Sequence, residues 1–341
     1  MTRNYLVTGG AGFIGSNYVH RLIQRNEHVT IFDNLSRAGA PRNVAWLKEK
    51  FGDDAFGLIV GDVRSAEDLR EAAWDADIIV HLAGQVAVTT SVTDPRNDFE
   101  ANALGTFNAL EAARLSGRNP IFVYASTNKV YGGMEDVELF EEATRWRYKD
   151  LTHGCPETQP LDFHSPYGCS KGTGDQYVRD YARIYGLRSV VFRQSCIYGP
   201  RQFGIEDQGW VAWFVIAAVT GRPITIFGDG KQVRDVLNVD DLLNAYDAAV
   251  EKIDVAAGKV YNMGGGAENV MAVWAEFGPI LEKLLGKKIE TAHGDWRPGD
   301  QRVFYADIRK AEQELGWKPK IGVKQGIELL FNWVKENREL F

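Results

Sequence analysis

The sequence predicts an α/β fold: a doubly wound parallel sheet with a smaller, mixed α/β lobe toward the C-terminus. Three observations predict it. Short apolar runs alternate with helical patterns over residues 1–130, as in successive βαβ units. A glycine-rich turn joins the first apolar run to the first helical pattern. Beyond residue 194 the rhythm becomes irregular and is punctuated by turns such as Phe227-Gly228-Asp229-Gly230.

Taken in order, strands are expected at residues 5–8, 28–33, 57–61, 78–83 and 121–126, with helices at 12–24, 42–51, 66–73 and 94–116. The fourth strand, Ile78-Ile79-Val80-His81-Leu82-Ala83, is nearly all apolar, as a strand covered on both faces should be. His81 within it reads as a core histidine. Residues 133–164 break the pattern with acids, prolines and aromatics, among them Trp146, His153, Pro156, Pro160 and His164. A segment of this length predicts an insertion beside the site. A helix is expected at 165–185, a strand at 189–193, and later helices at 239–251, 271–285 and 323–335.

A length of 341 residues suggests about two lobes. Apolar residues at 45% and charged residues at 25% exclude collagen, coiled coil and disorder for the whole chain. The net charge is −7, from 39 basic and 46 acidic residues, which lacks the basic excess of a nucleic-acid binder. Cys155, Cys169 and Cys196 are odd in number and match no zinc motif, so reduced thiols are expected. The six histidines include no close ligand-spaced pair, and no metal is expected. The chain enters its first strand at once, without a signal-peptide pattern. Its longest apolar run, 210–219, is half of the roughly 20 residues a membrane span needs. A cytoplasmic protein with neither membrane nor nucleic-acid partner is expected.

Thr8-Gly9-Gly10-Ala11-Gly12-Phe13-Ile14-Gly15 follows the first strand and opens the first helix, with Gly9, Gly12 and Gly15 in G-x-x-G-x-x-G spacing. Backbone without Cβ lets a diphosphate approach, and a helix N-terminus offers free N–H groups and a positive dipole end. Strand, glycines and helix in this order predict a Rossmann-type dinucleotide site. Asp33 ends the second strand, 18 residues after Gly15, where its carboxylate suits the adenosine ribose hydroxyls and repels a 2′-phosphate. That favours NAD over NADP, although Arg37 lies near enough to hold a 2′-phosphate. Asn34, with Asp62 and Val63 after the third strand, is placed near the adenine. Leu82-Ala83-Gly84 ends the fourth strand with small residues that leave room for the cofactor.

Tyr167 and Lys171 are four apart and share one helix face. An ammonium near a phenol favours the phenolate and lowers a pKa that is about 10 when unperturbed. A phenolate near neutral pH is a usable base for a sugar hydroxyl.

With these residues in place, the chain resembles the extended short-chain dehydrogenase/reductases, in their nucleotide-sugar epimerase and dehydratase branch. The resemblance rests on the glycine turn, Asp33, Ser126-Thr127 ahead of Val130-Tyr131-Gly132, and the Tyr167/Lys171 pair. Tyr198-Gly199-Pro200-Arg201-Gln202, Arg234-Asp235 with Val239-Asp240-Asp241, and Arg297-Pro298-Gly299-Asp300 extend it over nearly the whole chain. It implies a catalytic set of Thr127, Tyr167 and Lys171, with Lys171 also holding the nicotinamide ribose. It implies diphosphate binding by Arg234 and Arg297, and further substrate contacts at Gln194, Cys196 and Gln208. It implies an NAD-binding domain of residues 1–193 plus a returning segment near 235–263. Residues 194–234 and 264–341 would form the nucleotide-sugar-binding domain. A homodimer packed through the helices near 94–116 and 165–185, or a homotetramer, is expected.

Asn128 and Lys129 bear on the reaction. The branch's 4,6-dehydratases place an Asp-Glu pair after the Thr, and this chain has an amide and an amine. Neither replaces a carboxyl acid–base pair, so dehydration is disfavoured. Long stretches around His81–Ser91, Ser126–Gly132, Leu161–Lys171 and Gly230–Leu237 resemble the branch's 2-epimerases of CDP-hexoses. A 4-epimerase or dehydratase of a UDP-, GDP- or dTDP-sugar is the alternative, and a non-catalytic NAD sensor a remote one. Cys196 stands where most of the branch has Asn; a small buried filler is the plainer reading of it.

Overall fold

The computed structural model describes residues 2–206, 208–297 and 300–341. Among these, seven strands form one parallel sheet: β1 (Asn4–Thr8), β2 (His28–Asp33), β3 (Gly57–Val60), β4 (Ile78–His81), β5 (Ile121–Thr127), β6 (Ser189–Gln194) and β7 (Val260–Met263). The order across the sheet is β7-β6-β5-β4-β1-β2-β3, with every pairing parallel. The order reverses between β1 and β4, which opens a crevice at the carboxyl ends of the strands.

Alternation along each strand builds two cores. Tyr5, Val7, Ile78, Val80, Ile121 and Val123 meet helices Phe13–Gln24, Ala40–Phe51 and Val239–Glu251 on one face. Leu6, Ile79, Phe122 and Tyr124 meet helices Ala66–Ala72, Gly105–Leu115 and Ser165–Tyr185 on the other. Burial on both faces is why these strands read as continuous apolar runs.

Beyond β6 the chain forms smaller sheets. Strand Val233–Asn238 pairs in parallel with Cys196–Tyr198 and Val303–Phe304, and antiparallel with Val270–Ala272. Ile224–Phe227 pairs with Thr291–Gly294. Helices Trp210–Thr220, Phe277–Leu285 and Val323–Glu336 close a third core over them. The chain then returns to the large sheet through helix Val239–Glu251 and β7. No described helix is long and apolar enough to cross a membrane.

Two expected helices come out differently. Residues 271–285 do not form one helix: Val270–Ala272 is a strand, and the helix starts at Phe277. Pro279 explains the late start, because proline fits a helix only in its first turn. Residues 94–116 are a short helix Pro95–Phe99, a π-helical turn Glu100–Leu104 and a helix Gly105–Leu115.

The 133–164 segment is not a free loop. Its hairpin Leu139–Glu141/Trp146–Tyr148 is stitched to the smaller sheets. Arg145 grips Glu276 with two hydrogen bonds of 2.7 and 2.5 Å, and Cys155 N–H donates to the Tyr305 carbonyl at 2.8 Å.

Candidate active site

The glycine turn lies at the end of β1, beside the end of β4. Gly9 has φ +69°, and a Cβ on it would sit 2.7 Å from the Ala83 nitrogen. A Cβ on Gly15 would sit 2.3 Å from the Gly9 carbonyl oxygen. Only glycine lets strand end, turn and helix close together in this way. Gly12 precedes helix Phe13–Gln24 with no side-chain cap and no acid in the first turn. The leading N–H groups and the positive helix end are therefore available to an anion. Phe13 and Ile14 pack back onto the first core. Asn102 Oδ1, buried and without a partner among the described residues, points at Gly84. The cradle and its donors fit the diphosphate of a dinucleotide.

Asp33, at the end of β2, binds the turn itself. Its two oxygens accept from Ala11 N–H at 3.0 Å and Leu35 N–H at 2.8 Å. Burial raises its pKa, and those two donors oppose the rise. Asp62 accepts from Arg64 at 2.7 Å and from Asn34 at 3.1 Å, and the Arg64 guanidinium holds it well below the usual carboxylate range. Val63 is buried behind this pair. Arg37 lowers the Asp33 carboxyl through its charge, while its side chain donates to Gln208, 171 positions away, and so spans the crevice.

Thr127 ends β5, and Tyr167 stands on the facing helix Ser165–Tyr185. Ser165 enters that helix at φ +77°, strained for a non-glycine residue, and its Oγ accepts from Gly168 N–H at 3.2 Å. The Tyr167 backbone N–H donates to Ser91 at 3.1 Å. Burial pushes the Tyr167 phenol up to about 12; the Thr127 hydroxyl and Arg37 act against this, and Asp98 adds to it.

Lys171 departs from expectation. Its ammonium lies 4.5 Å from the centre of the Tyr124 ring, and it is not among the groups that move the Tyr167 phenol. Burial draws Lys171 itself down to about 8, against Asp98 and Asp175. The pair shares a helix face, but the lysine charge rests on an aromatic platform.

The substrate-side residues form a second cluster. Asn128 is buried, with Thr127 Oγ1 donating to its oxygen at 3.4 Å and its own nitrogen donating to Gln301 at 3.3 Å. Lys129 is drawn down to about 8, by burial first and then by Arg234, while Asp300 and Cys196 oppose. Arg234 is buried and donates to Asp300 at 2.6 Å. Cys196 accepts from the Trp210 indole at 3.3 Å, and burial raises its pKa, which leaves a neutral, unreactive thiol. Arg297 lies 3.9 Å over the Phe227 ring and donates to the Glu206 carbonyl at 3.2 Å. Pro298 and Gly299 of its motif lie outside the described residues.

Gln194 turns its amide to the Tyr246 hydroxyl at 2.6 Å, and His153 and His164 are exposed. His81 is fully buried between Thr8 and Thr106 and drawn down to about 3 by burial and by Lys171. Sequence reasoning missed Asp98, Ser170, Asn102 and Gln301, whose defining partners lie far away in the chain.

A family model described as GDP-mannose 4,6 dehydratase matches residues 6–330. The CDP-paratose 2-epimerase of Salmonella typhi is 43% identical over 96% of this chain and 98% of its own. The UDP-glucose 4-epimerase of Thermotoga maritima, solved with UDP-glucose, is similar with a TM-score of 0.83 and 31% identity, over 98% of this chain and 99% of that one. The dTDP-glucose 4,6-dehydratase of Streptomyces venezuelae, solved with NAD and TYD bound, has a TM-score of 0.84 and 28% identity, over 99% and 98%.

Proposed function

The chain belongs to the GDP-mannose 4,6 dehydratase family, and on that premise we propose that it is an NAD-dependent nucleotide-sugar 2-epimerase. Its substrate is a CDP-hexose, and the reaction inverts C2. The observation that carries this reading is Asn128. Its amide is locked between Thr127 and Gln301, so no carboxyl acid stands where elimination of water needs one. The likeness to a CDP-paratose 2-epimerase supports it.

Bound NAD, held by the glycine turn, Asp33 and the Leu82-Ala83-Gly84 end of β4, supplies the two-electron oxidation of C2 and its reversal. Tyr167 takes the proton of the C2 hydroxyl and later returns it. Thr127 holds that hydroxyl in line. Lys171 would hold the nicotinamide ribose. Arg234 and Arg297 anchor the diphosphate, which guanidinium geometry suits. The 2-keto sugar turns its other face while the nucleotide stays in place. Gln194, Cys196, Gln208 and Lys129 wall the sugar and nucleotide. Residues 1–193 with 235–263 carry the cofactor; 194–234 and 264–341 carry the sugar nucleotide.

The protein works as a homodimer. Phe107 and Tyr177 are exposed, meet edge to face at 5.9 Å, and continue through Tyr181 to exposed Tyr185. Leu115 and Ile184 on the same two helices, and Phe99 and Leu104 on the turns just before the first of them, are also exposed. We place the protein in the cytoplasm, in keeping with three free cysteines.

The test incubates the purified protein with CDP-, GDP-, UDP- and dTDP-hexoses, with and without NAD⁺, in heavy water. A C2 epimer from the CDP sugar, free of deuterium at C2, is expected. A 4-keto-6-deoxy product, a C4 epimer or deuterium at C2 overturns the assignment.

A further inference from the structure

Behind the Tyr167–Lys171 turn lies a closed polar cluster that the chemistry above does not use. Asp98, from helix Pro95–Phe99, is fully buried. Its Oδ2 accepts from Ser170 Oγ at 2.5 Å, and its Oδ1 accepts from Asn102 Nδ2 at 3.1 Å. Asn102 Nδ2 also donates to Ser170 Oγ at 3.1 Å, closing a triangle. Asn102 lies in the π-helical turn Glu100–Leu104, which sets its side chain against helix Ser165–Tyr185. Ser170 Oγ is also 3.2 Å from the Tyr167 carbonyl, so it touches the turn that bears both Tyr167 and Lys171. Both carboxylate oxygens accept hydrogen bonds, which suits the ionised form. A buried carboxylate is costly unless a cation compensates it.

We propose that Asp98 is a positioning residue for the Tyr167–Lys171 pair: through Ser170 it fixes the turn that carries both, and its carboxylate is the buried counter-charge of the Lys171 ammonium. The groups around it bear this out. Helix Val88–Thr93, packed alongside, carries no titratable side chain. Arg96 and Glu100, on either side of Asp98, pair with each other at 2.9 Å. The charged group whose field lowers Asp98 against its burial is Lys171. Lys171 in turn faces Asp98 and Asp175, with His81 behind it. Tyr167 faces Asp98 and Arg37.

The signs follow. Burial draws Lys171 down to about 8, and Asp98 is the first group that opposes this. Without Asp98 the lysine loses its proton at lower pH, and the alkaline limb of the activity profile falls with it. Asp98 also raises the phenol directly, so its removal lowers the acidic limb of the activity profile too. Loss of the charge therefore slides the whole pH profile downward. A merely structural residue lowers its height and leaves its position unchanged.

The inference rests on Tyr167 and Lys171 being the working pair, but its primary readout needs no substrate. Lys171 is titrated by NMR in the full chain labelled with [13Cε]lysine, its signal identified by its loss in Lys171→Met. In Asp98→Asn the Lys171 midpoint should fall by about one pH unit, a tenfold rise in acid dissociation constant. Asp98→Glu should restore it. Ser170→Ala, which keeps the charge but frees the carboxylate, should move it about threefold in the same direction. An unmoved Lys171 midpoint in Asp98→Asn overturns the proposal. If that variant does not fold, an unmoved midpoint in Ser170→Ala does so. A wrong sugar assignment leaves the lysine titration standing.

Discussion

At the scale of single residues, the site separates two kinds of signal. Gly9, Gly15 and Asp33 act through backbone geometry within one βαβ unit. Tyr167 acts through its surroundings. Burial pushes its phenol up to about 12, so near neutral pH it is a neutral hydroxyl. It becomes a base only when positive charge arrives beside it. NAD⁺ brings such a charge, so adding NAD⁺ should lower the midpoint of one tyrosine. The measurement is ultraviolet difference titration of the native protein against Tyr167→Phe, and a midpoint unmoved by NAD⁺ would contradict the mechanism. Tyr167→Phe should keep NAD⁺ affinity within about threefold and lose at least about a hundredfold in turnover. Near-native turnover in that variant would remove Tyr167 from the catalytic role.

At the scale of elements, β5, β6 and helix Ser165–Tyr185 are locked by one buried ion pair. Arg193 meets Asp175 with bonds of 2.8 and 3.0 Å, and both side chains are almost wholly buried. Ser126, next to Thr127, donates to the same carboxylate at 2.8 Å, and Arg193 also donates to the Tyr131 hydroxyl at 3.0 Å. The pair therefore holds the strand end bearing Thr127 against the helix bearing Tyr167. Removing one partner leaves a buried charge uncompensated, which costs about 3–5 kcal/mol. Arg193→Met should lose stability of about that size in urea denaturation, and a loss below about 1 kcal/mol would show that water or other groups take over the charge.

At the scale of the whole molecule, the crevice is built from parts far apart in the chain. The turn after β1, the insertion at 133–164 and the strands beyond residue 194 meet around it. The insertion does not close over the site as a loose flap, because Arg145–Glu276 and the Cys155–Tyr305 bond tie it to the smaller sheets. On the far side of the large sheet, the apolar face around Phe107, Tyr177 and Ile184 remains uncovered in a single chain. A contiguous apolar face of this kind marks a protein interface. Ile184→Glu should convert a dimer to a monomer in sedimentation velocity at micromolar concentration. A native protein that already sediments as a monomer there would refute the dimer.

The sequence by itself determined the succession along the chain of the first six strands of the large sheet and their helices, the dinucleotide cradle and the spacing of Tyr167 and Lys171. Those features are local. Apolar runs, glycine conformations and a four-residue helical spacing are set by neighbours in the chain, so they are legible there. The resemblance implied a segment returning near 235–263, but the strand that pairs beside β6 as β7 was not read from the sequence. Only the tertiary structure decided which groups face each other across the fold. Asn128 meets Gln301 over 173 positions, Arg37 meets Gln208 over 171, and Asp98 meets Ser170 over 72. It also placed the Lys171 charge on the Tyr124 ring, where helical spacing alone pointed to the phenol of Tyr167. The physical reason is common to all four. Burial and opposing charge depend on what packs across the crevice, and no local pattern encodes a neighbour that distant.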